Sequence, residues 1–208
     1  MNTPENRFPN TPPTRRDFLR ATSALGGSAV LVSLDLSGIA EGAPADQPKS
    51  AKGPLEPGGV ITIRGHHLFD MLEALGTGKS SHKTLGPVAQ KIRAHHEVPI
   101  KVVIGADDIC APCEWWDHAK SLCKKSLDKY PQDNQNSLTS DKNAIRVLGL
   151  KPGDVMKADD LYRLIKAKVT KKVFAEEVCV ACRLVNTCKE TCEPKIEAAV
   201  KALSEPRL

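Results

Sequence analysis

The sequence predicts an α+β domain, mainly α, with a minor two-stranded sheet and a cysteine-clustered metal site. Three observations carry that expectation. Apolar residues beyond position 65 recur mostly at the three-to-four-residue spacing of amphipathic helices. Val60–Ile63 and Ile100–Ile104 are the two short β-branched runs that read as strands. All seven cysteines fall in two groups, one around residues 110–123 and one around 179–192.

In chain order, the first strand is followed by a helix over His66–Leu75, apolar at Leu68, Met71, Leu72 and Leu75 and closed by Gly76. A second helix spans Pro87–His96, with Val88 and Ile92 on one face, and the second strand follows. Trp115–Leu127 is expected to be a third helix, and Tyr130–Thr139 a polar loop. Ser140 is placed as the N-cap of a helix over Asp141–Leu148, because its hydroxyl can accept from a free N–H of the first turn. Asp159 or Asp160 starts another helix over Leu161–Val169. Pro194, whose missing N–H costs nothing at a first helical position, opens the last, with Ile196, Ala199, Val200 and Leu203 inward.

Ahead of this domain the chain has a different character. Thr14-Arg15-Arg16-Asp17-Phe18-Leu19-Arg20 precedes a modest apolar run, Ala21–Leu34, and then Ala43-Pro44-Ala45. A polar start, a short apolar stretch and small residues at the end give the layout of a cleavable signal, cut after Ala45. The paired arginines with Phe and Leu at these offsets are similar to the twin-arginine (Tat) export signal. The apolar stretch is too short for a stable membrane span. Residues 46–58, rich in proline and glycine, read as a flexible linker, so the domain proper is residues 59–208. The expected partner in transit is the Tat translocase, and the expected location is periplasmic or otherwise extracytoplasmic.

Net charge is +5, and the four arginines of residues 1–45 are matched by four acids, so the excess belongs to the domain. Its lysines are scattered along predicted helices rather than gathered with aromatics, and nucleic acid is not an expected partner. Aromatic residues are only 4% of the chain. The core is therefore aliphatic and light, and a bound metal or cross-links would add to its stability.

The cysteines are spaced Cys110-x2-Cys113-x9-Cys123 and Cys179-x2-Cys182-x5-Cys188-x3-Cys192. A Cys-x-x-Cys turn aims two thiolates at one metal. Cys110, Cys113, Cys179 and Cys182 are therefore the preferred ligands, with Cys123, Cys188 and Cys192 as alternates or a second site. Three occupants compete. An iron–sulfur cluster, foremost [4Fe–4S], suits both the thiolate count and an export route that carries folded, preloaded proteins. Zinc needs the same four sulfurs, and disulfides suit an oxidising compartment but leave one of seven thiols over.

Arg64-Gly65-His66-His67-Leu68, Asp107-Asp108-Ile109-Cys110-x2-Cys113 and the late Cys-x2-Cys-x5-Cys together resemble the DUF1284 family over roughly residues 60–190. The resemblance implies an iron–sulfur binder and names no reaction. Two departures stand out. Asp70 occupies the place of a cysteine that follows the His pair in such proteins, and Glu114 replaces a proline. Asp70 is thus a candidate oxygen ligand.

Other polar residues are weighed singly. His66 and His67, as helical neighbours, diverge by more than a quarter-turn. They are expected to be one buried and one exposed, not joint chelators. Their functional alternative is an accessory ligand or proton carrier near the cluster, with Arg64 nearby for an anion. Asp107 and Asp108 are expected to cap the cysteine turn through backbone N–H bonds. Trp115 and Trp116 are expected to shield the metal site from water. No nucleophile elbow, phosphate-cradling glycine loop or dinucleotide fingerprint is present.

The expected function is accordingly a small exported iron–sulfur protein for electron transfer or redox sensing with a redox partner protein. The alternative is a non-redox binding module stabilised by zinc or disulfides. A weaker one is a cluster-dependent enzyme using Arg64, His66 and His67.

Overall fold

The computed structural model describes residues 59–205, apart from 81 and 126. The expected export signal and the whole of the expected linker lie outside these residues. β1 (Ile61–Arg64) and β2 (Pro99–Val103) pair in parallel, Ile61 opposite Ile100 and Arg64 opposite Val103. A parallel pair needs a long crossover, supplied by α1 (His67–Asp70), α2 (Leu72–Thr77) and α3 (Leu85–Ala94). The hairpin β3 (Trp116–Asp117) and β4 (Leu122–Cys123) follows, then α4 (Asp133–Leu148). β5 (Val155–Lys157) adds an antiparallel strand to β2, so the central sheet has the order β1-β2-β5. The remaining elements are α5 (Ala158–Lys168), α6 (Lys171–Val173), a π-helical turn over Phe174–Val178, and α7 (Val185–Ser204).

The result is a mainly α, α+β domain. The two expected strands pair, and a third, too short for its alternation to be read, joins them. Ile61, Ile63, Ile100 and Val102 are fully buried, as are Leu75, Ile92, Leu161 and Ile165 from the helices, which makes the core aliphatic. α7 packs along α2 and α5. Among the described residues, no helix is long and apolar enough to cross a membrane.

Several boundaries differ from the sequence reading, each for a local reason. The first expected helix is broken at Met71 into α1 and α2, and it ends at Gly78, in the left-handed region at φ 73°, rather than at Gly76. Gly76 instead serves packing, since a Cβ there would meet Ala198 Cβ of α7 at 2.8 Å. Trp115–Leu127 is not helical. Asp117 Oδ1 accepts from the N–H groups of Ala119 and Lys120, both at 3.1 Å, and this local turn replaces the helix. α4 starts seven residues before Ser140's expected cap, because its first residues, Asp133 to Ser137, are all polar and leave no apolar rhythm to read. α7 starts at Val185 and runs through Pro194, although Pro194 has no N–H to give Glu190.

Candidate metal centre

The segment Arg64–His67 leaves β1 and is pinned by two buried carboxylates. Asp141, on α4, is fully buried. Its Oδ1 accepts from the His66 N–H at 3.0 Å and lies 2.8 Å from His66 Nδ1. Its Oδ2 accepts from Arg64 Nε at 2.9 Å and from the Gly105 N–H at 3.0 Å. Arg64 Nη2 lies 2.8 Å from the same oxygen as an ion pair, without the alignment of a hydrogen bond. Gly65 is required here by close approach: a Cβ would sit 2.4 Å from the Asp141 carbonyl oxygen.

Asp107 does the same work on the other side. Oδ1 accepts from the N–H groups of Ile109 (3.1 Å) and Cys110 (2.8 Å), so of the two aspartates expected to cap the cysteine turn Asp107 alone does so. Oδ2 accepts from the Arg64 N–H at 2.9 Å and lies 2.7 Å from His67 Nδ1. Asp108 accepts from the Thr62 N–H at 2.8 Å. The free edge of β1 is thus satisfied by the two aspartates that introduce the first cysteine pair.

The electrostatics follow from burial against these partners. Burial alone would push the Asp107 carboxyl up, but His67 and the backbone donors outweigh it and hold the group well below the usual carboxylate range. Asp141 is likewise held low, burial being overcome by His66 and Arg64. Burial, with His67 adjacent, lowers His66, which favours the neutral imidazole. For His67 the Asp107 charge overcomes burial and raises its value.

Beyond the histidines opens a pocket of about 500 Å³. His66, His67 and Asp70 line one part of it. Cys179, Cys182, Cys188, Cys192 and Cys123 line others, and Phe69 and Phe174 meet edge to face at 5.5 Å in its wall. Lys79, Lys125, Arg183 and Lys195 also contribute to the lining. The thiols arrive by distinct devices. The π-turn closes with the Cys179 N–H on Phe174 O at 2.9 Å, and Cys182 N–H then bonds Cys179 O at 2.8 Å. Cys188 and Cys192 lie one turn apart on α7, where i and i+4 share a face. All seven cysteines are free thiols. Burial, reinforced by neighbouring acidic groups and thiols, raises Cys179 and Cys188, and burial pushes Cys192 up to about 12. Each of these shifts favours the protonated thiol.

The four preferred ligands are therefore divided between two places. Cys179 and Cys182 line the pocket. Cys110 is buried 4.0 Å from Arg64 Nη1, and neither it nor Cys113, whose N–H closes an equivalent turn on Cys110 O at 2.9 Å, lines the pocket. The alternates Cys123, Cys188 and Cys192 do. Arg64 does not reach the pocket and acts from behind it. His66 and His67 are not one buried and one exposed: both are part-buried at 18% and 14%, with rings 4.5 Å apart, facing the same pocket. Trp116 is buried, whereas Trp115 is 46% exposed and shields little. Asp141 escaped the sequence reading. Its signal was a charge at the start of the stripe Asp141, Ala144, Ile145 and Leu148, on a buried helix face.

Fold and site together define a cysteine-rich α+β domain whose sulfur, imidazole and carboxylate donors suit a metal. The chain belongs to the DUF1284 family, described as protein of unknown function, whose pattern matches residues 80–188. That span takes in six of the cysteines and stops before Cys192, while Arg64–His67 and Asp70 precede it. No curated protein and no solved structure matches the chain.

Proposed function

We propose that this protein is an exported iron–sulfur protein, serving electron transfer or redox sensing, with its cluster in the thiol-lined pocket. The observation that carries this reading is the gathering of five cysteines around one cavity from the β3–β4 hairpin, the π-turn and α7. Cys179, Cys182, Cys188 and Cys192 would hold the cluster, with Cys123 in reserve.

The donor set fits such a group. Sulfur is the ligand of iron–sulfur clusters, and the lysines and arginine of the lining offset the negative charge of a tetrathiolate cluster. Four thiolates on one zinc, each at about 2.3 Å, would lie within about 4 Å of one another. Among the described residues, the groups of three or more Cys, His, Asp and Glu side chains with ligand atoms within 4.8 Å hold at most one cysteine. That wider spread favours a polynuclear cluster over a single zinc. When bound, the cluster supplies a one-electron redox couple. The chain's residues would exclude water with Phe69 and Phe174, and set the potential by burial and charge.

Anaerobic purification followed by visible absorption and iron and sulfide analysis tests the reading. A brown protein with matched iron and sulfide is expected, and Cys179→Ser with Cys182→Ser should abolish both. A colourless chain that carries zinc or disulfides instead would reject it.

A further inference from the structure

We propose that His66, His67 and Asp70 form a second site, binding a single divalent first-row transition ion through nitrogen and oxygen. The proposal does not depend on the cluster. Ligand atoms of the three residues lie within 4.8 Å of one another. Asp70 is four residues after His66 and three after His67, so one helical turn brings its carboxylate near both rings. His66 Nε2 is 3.9 Å from Asp70 Oδ2.

The second observation is what stands behind the rings. Each Nδ1 is engaged by a buried carboxylate, His66 with Asp141 at 2.8 Å and His67 with Asp107 at 2.7 Å. A carboxylate on one ring nitrogen fixes the tautomer and leaves Nε2 as the basic atom, the arrangement that supports metal-bound histidines. The two carboxylates are fixed in turn. Asp141 is held by Arg64 and Gly105, and Asp107 by the N–H groups of Arg64, Ile109 and Cys110. Such double anchoring exceeds what two half-buried histidines need for burial alone.

Asp70, by contrast, is 58% exposed and free to swing toward an ion. Two imidazoles and one carboxylate are borderline-to-hard donors. They suit Fe²⁺, Co²⁺, Ni²⁺ or Zn²⁺ and leave further coordination positions for water or a small ligand. The backing carboxylates distinguish this set from the thiols across the pocket.

Cobalt titration of the untagged, full-length chain, after its native metal has been quantified, tests the proposal. A single Co²⁺ should bind with weak visible bands and no sulfur-to-cobalt charge transfer in the near ultraviolet. Asp70→Asn, at an exposed position, should weaken binding about 10–100-fold without loss of fold, and His66→Ala should weaken it further. Cys179→Ser with Cys182→Ser, which removes the cluster colour, should leave the cobalt-minus-cobalt-free difference spectrum unchanged, as should His95→Ala with His96→Ala. An intense charge-transfer band lost in the cysteine variants would place the ion on sulfur and overturn the site. So would equal affinity in wild type and Asp70→Asn, or no uptake at all. A colourless protein that binds cobalt in this way would overturn only the cluster.

Discussion

Asp141 joins a guanidinium, an imidazole and two backbone N–H groups at one carboxylate with no exposed surface. Asp141→Asn removes the charge but keeps the shape, leaving Arg64 buried without its counter-ion. Breaking one side of a buried pair costs about 3–5 kcal/mol, so the variant should unfold at markedly lower urea. The pH dependence carries a second signature. Asp107 and Asp141 are both depressed in the folded state, so their contribution is present above the unfolded carboxylate value of about 4 and is lost as pH falls through the folded values. Wild type should lose stability on acidification below about pH 4, and Asp141→Asn should lose less over the same range. Urea melts at a series of pH values measure both. An Asn variant as stable as wild type at neutral pH would show that Arg64 finds other compensation.

The glycines show which elements are in close contact, and two of them make opposite predictions. Gly76, inside α2, faces Ala198 on α7, so Gly76→Ala forces the two helices apart and should cost about 1–3 kcal/mol. Because α7 carries Cys188 and Cys192, that variant should also loosen the pocket. Gly86, inside α3, would place its Cβ 3.6 Å from Ser80 Cβ, an ordinary contact. Gly86→Ala should therefore stabilise by about 0.4–1 kcal/mol through the unfolded chain. Thermal melts of the pair decide it, and equal shifts would refute the packing account. The same elements show what could be read from sequence. Helices α3 and α5 declare themselves because one face of each is buried and the other is wet, and the strands β1 and β2 through their β-branched runs. The hairpin at Trp116–Cys123 does not, because a side-chain turn at Asp117 outweighs helix propensity, and propensity was all that could be read there. The first turns of α4 are hidden for the reverse reason: they are polar on all sides.

At the scale of the domain, the Cys-x-x-Cys pairs are legible as tight turns, but their grouping is not. Spacing cannot reveal that Cys110 turns toward Arg64 while Cys179 is delivered to a pocket by a π-turn. Asp70, by contrast, stood out as a substitution and does line that pocket. The thiols also bear on the leader. Under the proposed function a cluster among the pocket thiols would be inserted before or during folding, because free thiols outside the cytoplasm would meet oxidants first. The proposed twin-arginine route, which carries folded and loaded protein, would resolve that conflict and would tie Arg15 and Arg16 to a centre far from them in sequence. Replacing both with lysine should leave the chain folded and its centre intact but trap it in the cytoplasm as the longer precursor. Cell fractionation, with iron measured in each fraction, gives the answer. Wild type should appear outside with iron bound, and the double-lysine variant should appear inside with the same iron content. Export of the variant at the wild-type level would remove the twin-arginine route. An iron-free precursor inside the cell would separate the route from loading, so that the centre would have to be assembled after export.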